Sequence, residues 1–271
     1  MGAKGSGTDG SSSGRGGRKR PKEKGNVWIK TCEIALFPLT HLLGRRRYVG
    51  AHRIPERGAA LIVANHISHI DPIFDVVYVR ETGRLPHVMA KASLWKIPLI
   101  GRVLTGTQQI PVERGNGAGQ KALAAATDVL AAGGVVVIYP EGTVTKDPDM
   151  WPMRPRAGVA ALALSGDFPV IPVAHWGSNH VYTSYGTGRR FKPLPRKDVH
   201  VVAGEPIDLS AWRGKPIDNR AIRDVSHLIM DRIQQMVAEL RGEPAPTELF
   251  NPKVGGRRAA QAPGGSGVEA E

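Results

Sequence analysis

The sequence predicts an α/β domain, a single domain with a largely parallel central sheet flanked by helices and preceded by an apolar helical segment. Three observations predict it. From residue 59 onward short β-branched runs alternate with helical segments, the pattern of strand-helix-strand units. The stretch 219–241 places Ile222, Val225, Leu228, Ile229, Ile233, Met236, Val237 and Leu240 at three- and four-residue spacing, which is one apolar face of a helix. Hydrophobic residues make up 41% of 271 residues and charged residues 23%, enough for one ordinary core and too apolar for a wholly disordered chain.

In chain order, residues 1–25 hold Gly, Ser, Lys and Arg with almost nothing apolar, and they are expected to be a disordered basic tail. Residues 26–49 follow as an N-terminal apolar helical segment. Its stretch 27–43 contains Lys30, Glu33, Pro38 and His41, and falls short of the roughly 20 mostly apolar residues that span a bilayer. Two readings stay open there: a core-packing helix pair broken at Pro38, or an interfacial helix between the basic tail and Arg45-Arg46-Arg47. The domain itself is expected over 50–241. Strands are predicted at 60–64, 87–90, 107–112, 135–139, 170–174 and 199–203, and helices at 72–81, 119–131, 158–165 and 219–241. Residues 242–271 mix Gly, Pro, Ala and Glu without a period and are expected to be a second disordered tail.

Charge narrows the partners. Lys and Arg number 37 against 24 Asp and Glu, a net charge of +13, with basic excess in the body as well as in the tail. Such a chain suits anionic partners: nucleic acid, an acidic membrane surface or phosphorylated substrates. A basic nucleic-acid-binding protein would explain the charge, but no helix-turn-helix, RNA-recognition or zinc-finger signature accompanies it, so no nucleic-acid partner is expected. The single cysteine, Cys32, excludes an intramolecular disulfide framework and any Cys-based zinc site. His69 and Asp71 find no third ligand at recognisable spacing, and neither a metal nor a resident cofactor is expected.

The chemistry-bearing residues follow two predicted strands. After 60–64 come Asn65-His66-Ile67-Ser68-His69-Ile70-Asp71-Pro72, a polar cluster where open α/β sheets place ligands. His66 and Asp71 can act as a base and its orienter: a carboxylate accepting one imidazole N–H leaves the other nitrogen to take a proton from a hydroxyl. Asp71-Pro72 equally reads as a helix N-cap with proline in the first turn. After 135–139 comes Pro140-Glu141-Gly142-Thr143, a polar turn on the same sheet edge if the strands are parallel.

Taken together, Asn65-His66 with Asp71 and then Pro140-Glu141-Gly142-Thr143 resemble the glycerolipid acyltransferase family, which includes the bacterial 1-acylglycerol-3-phosphate acyltransferases. Further matches are Lys91-Ala92-Ser93-Leu94 with Pro98 and Gly101, Ile110-Pro111-Val112-Glu113-Arg114, Arg156-Ala157-Gly158 and Val170-Ile171-Pro172-Val173. The resemblance implies transfer of an acyl group from acyl-CoA or an acyl carrier protein, as co-substrate, to a hydroxyl of lysophosphatidic acid. Another lysophospholipid or glycerol 3-phosphate is the alternative acceptor. It implies work at an anionic membrane surface, on the cytoplasmic face, by a peripheral or monotopic protein. By the same resemblance His66 is general base, Asp71 its orienter, Arg114 a phosphate contact, and Glu141, Gly142 and Thr143 acceptor-binding residues. One position departs: the family commonly has Arg after that Thr, and this chain has Val144. Phosphate binding then rests on Arg114, Lys91, Arg156 or Lys146.

Overall fold

The structure is a computed structural model and describes residues 22–113, 118–185 and 190–257. Seven strands form one sheet in the order β1-β7-β6-β2-β5-β3-β4: β1 (Gly44–Val49), β2 (Ala60–Ala64), β3 (Pro86–Lys91), β4 (Ile110–Val112), β5 (Val135–Ile138), β6 (Val170–Trp176) and β7 (Lys197–Ala203). Every neighbouring pair is parallel except β6 with β7. The predicted, mostly parallel α/β architecture is therefore present.

Helices cover both faces. The chain adds α1 (Val27–Leu43), α2 (Asp71–Glu81), α3 (Pro98–Gly106), α4 (Ala118–Ala131), α5 (Gly158–Ala163), α6 (Ser178–Val181) and α7 (Asn219–Arg241). Strand alternation divides the core between the two faces. Leu61 and Val63 of β2 pack with Ala122, Val159, Ile229 and Ile233 from α4, α5 and α7, while Ala60, Ile62 and Ala64 pack with Phe74 and Tyr78 of α2. Because both faces are covered, β2 and β5 read as unbroken apolar runs rather than alternating ones. The predicted α7 forms over its whole predicted range: the Asp218 side chain accepts the Ala221 N–H at 2.7 Å, and Gly242 ends the helix in the left-handed region at φ +66°.

Four expectations are corrected. First, α1 runs unbroken through Pro38. Pro38 lies on the exposed face, so the helix loses one donor where the orphaned Ile34 carbonyl meets solvent. Second, the domain starts before residue 50. Gly44–Val49 is an edge strand paired with β7, and its arginines read as a charge run because Arg45 and Arg47 project outward onto Asp198. Third, the first tail is not all tail, since Glu23 accepts from Arg84 Nε at 2.6 Å and from the Leu85 N–H at 2.6 Å. Fourth, residues 242–257 continue the fold, with Leu249 and Phe250 buried and Phe250 in a parallel bridge to Met153. Two apolar residues suffice to anchor a segment whose composition resembles a linker. Within the domain, 98–106 is a helix and only Ile110–Val112 of the predicted 107–112 strand pairs. Among the described residues no helix is long and apolar enough to cross a membrane.

Candidate active site

The carboxyl ends of β2, β5 and β6 lie side by side, because these strands are parallel neighbours. Each feeds one polar group into the same place. β2 runs into Asn65-His66, β5 into Tyr139-Pro140-Glu141, and β6 into Gly177-Ser178.

Asp71 organises the cluster. Its Oδ2 accepts from His66 Nδ1 at 2.9 Å, from the Ile67 N–H at 2.8 Å and from the Ser68 N–H at 2.8 Å, while Oδ1 accepts from Ser178 Oγ at 2.5 Å. The cap reading of Asp71 is therefore corrected. Asp71 is the first residue of α2 rather than its cap, and its carboxylate turns back to gather the preceding loop. Burial pushes its carboxyl upward, but the hydrogen bond from His66 and the nearby His175 outweigh it and hold the group below its ordinary value. A fully buried carboxylate with four donors is a fixed negative charge at Nδ1 of His66. Among the described residues no group takes Nε2, and the imidazole is 12% exposed, so that nitrogen is accessible for a proton.

The ring is held in two further ways. Tyr139 stacks on it at 4.2 Å between centroids and 19° between planes. Glu141 Oε1 accepts the His66 N–H at 2.9 Å, its Oε2 accepts the Met153 N–H at 3.1 Å, and the His66 carbonyl accepts the Thr145 N–H at 2.7 Å. The 140–145 loop thus grips the His66 backbone from both sides. Burial pushes the Glu141 carboxyl up to about 8, with the two backbone donors opposing it.

A second carboxylate–imidazole pair lies beneath. Asp75 Oδ1 pairs with His175 Nε2 at 2.7 Å, and Asp75 Oδ2 accepts from the Tyr139 hydroxyl at 2.5 Å. Asn65 fixes the His175 backbone, donating to its carbonyl at 3.1 Å and accepting its N–H at 2.7 Å. Burial works against a charged His175, yet the Asp75 carboxylate overcomes it and raises the imidazole above its ordinary value. On the open side of the site His69 lies 6.4 Å from His66 and forms edge contacts with Tyr182 and Tyr185.

The remaining predicted residues divide. Gly142 takes φ +71°, and a Cβ there would come within 2.5 Å of Arg156 Nε, so glycine lets that guanidinium lie across the turn. Thr143 Oγ1 meets the Tyr185 hydroxyl at 3.4 Å. Glu141, Thr143, Lys146 and Arg156 share one cavity of about 640 Å³. Lys91 ends β3 in register with Val112 and is exposed, with no hydrogen bond or ion pair to the His66 cluster among the described residues. Arg114 lies outside the described residues. Val144, where the family commonly carries Arg, is buried.

A sequence profile of the family described as Acyltransferase matches residues 45–176, which span every element named so far in the His66 cluster except Ser178 and the tyrosines beyond it. These residues, just under half of the chain, are thus an acyltransferase-family domain. An N-acylphosphatidylethanolamine synthase of Arabidopsis thaliana is 32% identical over 162 residues, which is 56% of this chain and 57% of that protein. A 1-acyl-sn-glycerol-3-phosphate acyltransferase of Borreliella burgdorferi is 29% identical over 135 residues, 49% of this chain and 52% of that protein. The chain thus spans a little over half the length of these two relatives. The crystal structure of the 1-acyl-sn-glycerophosphate acyltransferase PlsC from Thermotoga maritima shares the fold, with a TM-score of 0.60 and 23% identity over 80% of this chain and 81% of that one. The match includes the polar loop after β2 and the turn after β5.

Sequence reading missed Tyr139, Asp75, His175 and Ser178. Asp75 carries a legible signal, since it stands four residues after Asp71 on one helix face. His175 does too, as a polar residue at the end of an apolar strand run. Ser178 has none, because only strand pairing brings it to Asp71 across 107 positions.

Proposed function

We propose that this acyltransferase moves a fatty acyl group from a thioester, acyl-CoA or acyl carrier protein, to a hydroxyl of lysophosphatidic acid. The observation that carries the reading is the His66 Nδ1 to Asp71 Oδ2 bond at 2.9 Å, with Nε2 directed away from it and accessible. In this reaction Nε2 takes the acceptor hydroxyl proton as the oxygen attacks the thioester carbonyl. Asp71 stabilises the imidazolium that forms. Collapse of the tetrahedral intermediate breaks the C–S bond, and the departing thiolate takes the proton back from Nε2. A thiol of ordinary pKa about 8.5 leaves readily, so one base is sufficient. Other lysophospholipids or glycerol 3-phosphate use the same chemistry.

The same reading has the enzyme working peripherally at an anionic membrane surface on the cytoplasmic face. Support comes from the +13 charge and from Val27, Ile34 and Leu42 exposed on α1. A panel of acyl-CoA and acyl carrier protein donors against lysophosphatidic acid, other lysophospholipids and glycerol 3-phosphate, run on wild type and His66→Ala, tests the assignment. Wild type is expected to turn over at least one pair and His66→Ala to lose about 10²–10⁴-fold. Turnover by His66→Ala within tenfold of wild type would remove His66 from the base role.

A further inference from the structure

Beyond α7 the chain returns to the cavity beside Glu141. The Arg154 N–H donates to the Phe250 carbonyl at 2.9 Å, and Leu249 and Phe250 are buried. A tight turn follows: the Asn251 N–H bonds the Gly256 carbonyl at 2.9 Å, Asn251 Oδ1 accepts the Lys253 N–H at 3.1 Å, and Gly255 takes φ +70°. Past the turn, Arg257 pairs with Asp147. Fixed at both ends, the turn sets Asn251, Pro252 and Lys253 into the wall of the cavity that also holds Lys146, Arg154 and Arg156.

Electrostatics gives this cavity one sign. Lys146, Arg154, Arg156 and Lys253 form no ion pair among the described residues. The one acid in its lining, Glu141, has both oxygens on backbone N–H groups. Asp147 and Asp149, the acids on the neighbouring loop, are held by Arg257. Four unpaired cations around one cavity repel each other and raise the local concentration of anions. Two are arginines, whose planar forks match phosphate oxygens, and two are lysines acting as point charges. A volume of about 640 Å³ is that of a small-molecule site rather than a cleft for one ion.

We propose that the 251–256 turn completes a phosphate-binding site, in which Lys253 and Arg154 join Arg156 and Lys146 to hold a phosphate group of one of the two substrates. This rests on the acyltransferase reading for the identity of the ligand, which is either the headgroup phosphate of the acceptor or the phosphates of the CoA donor. The site adjoins the base: Glu141, in its lining, accepts the His66 N–H.

The test uses the full chain with Lys253→Ala, Lys253→Glu and Lys253→Arg, measuring calorimetric binding of CoA and of glycerol 3-phosphate at low and high salt, together with KM for donor and acceptor. Lys253→Ala is expected to weaken one ligand about 3–10-fold, Lys253→Glu more, and Lys253→Arg little, with unchanged melting temperature and a binding constant that falls with salt. Loss confined to CoA and the donor KM assigns the site to the donor, and loss confined to glycerol 3-phosphate and the acceptor KM assigns it to the acceptor. Unchanged binding and KM for both ligands in active Lys253→Glu would overturn the site while leaving the acyltransferase reading standing. Salt-sensitive, Lys253-dependent binding in a protein that turns over no donor–acceptor pair would keep the site and overturn that reading.

Discussion

Asp71 and Asp75 stand one turn apart on α2, both buried, and each carboxylate holds an imidazole, His66 at 2.9 Å and His175 at 2.7 Å. Residues four apart share a helix face, so one helix presents both carboxylates to the ends of two parallel strands. Tyr139 couples the pairs, with its ring stacked on His66 and its hydroxyl on Asp75. The lower pair therefore supports the upper one twice, by fixing the stacked ring and by placing His175, whose imidazole Asp75 raises, where it helps hold the Asp71 carboxyl down.

Asp71→Asn keeps an oxygen for the loop N–H groups and an amide that can donate to Ser178 Oγ, but it removes the charge facing the imidazole. It is expected to fold and to lose about 10²–10⁴-fold in kcat, because a neutral amide neither stabilises the imidazolium nor fixes the tautomer. Asp71→Ala strands the Ile67 and Ser68 N–H groups as well, and is expected to lose stability by about 3–5 kcal/mol. Chemical denaturation of both variants beside steady-state kinetics checks this. A fully active Asp71→Asn would make Asp71 a structural clamp only.

Tyr139→Phe keeps the ring on His66 and removes one bond to Asp75, so a loss of about 1–3 kcal/mol in stability is expected with kcat within tenfold of wild type. Asp75→Asn leaves a buried His175 without its counter-charge and is expected to cost about 3–5 kcal/mol. Thermal melts separate the two. Equal destabilisation by both would show that the Tyr139 bond, not the ion pair, carries the lower network.

The upper pair was legible because it is local, two residues five apart at the two ends of the short loop that joins an apolar strand run to α2. The lower pair was not, although both of its members left traces, because joining Asp75 to His175 needs β6 to lie beside β2. Strand order is a tertiary fact, and alternating runs fix strand number far better than neighbour order. The edge strand 44–49 hid for a different reason: an edge needs only one buried face, and Arg45-Arg46-Arg47 conceals that alternation behind a charge run. Lys253 was invisible, since its position depends on the neighbouring Phe250 pairing with Met153 and Arg154, which lie far away in sequence.

Glu141 gives a pH-dependent prediction. Its folded value of about 8 lies above the ordinary 4.5, so the folded state holds an extra proton between these values. Its contribution to stability is full below about pH 4.5 and is lost as pH rises through about 8, with a total on the order of 5 kcal/mol at most. Glu141→Gln removes this slope and sets an amide N–H against the His66 or Met153 N–H, a cost of about 1–3 kcal/mol that does not vary with pH. Urea unfolding at pH 5 and pH 8.5 is expected to show wild type weakening across the interval more than Glu141→Gln. Parallel slopes would show that Glu141 stays ionised throughout.

The last prediction concerns the exposed apolar residues of the N-terminal region. On α1, Ile34 is 78% exposed, and just beyond the start of the neighbouring α3, Leu99 is 72% exposed. Neither side chain supports the core, so replacing them should leave folding alone. If they enter a lipid surface, each withdraws apolar area from water worth up to about 1.5–3 kcal/mol, while the basic excess supplies a salt-sensitive attraction to anionic headgroups. Ile34→Glu with Leu99→Glu is therefore expected to weaken binding to phosphatidylglycerol-containing vesicles at least about tenfold, with an unchanged melting temperature. Wild type is expected to bind those vesicles more tightly than neutral ones and to lose the difference in high salt. Sedimentation of the double variant with anionic vesicles to the same extent as wild type would place the membrane contact elsewhere on the protein.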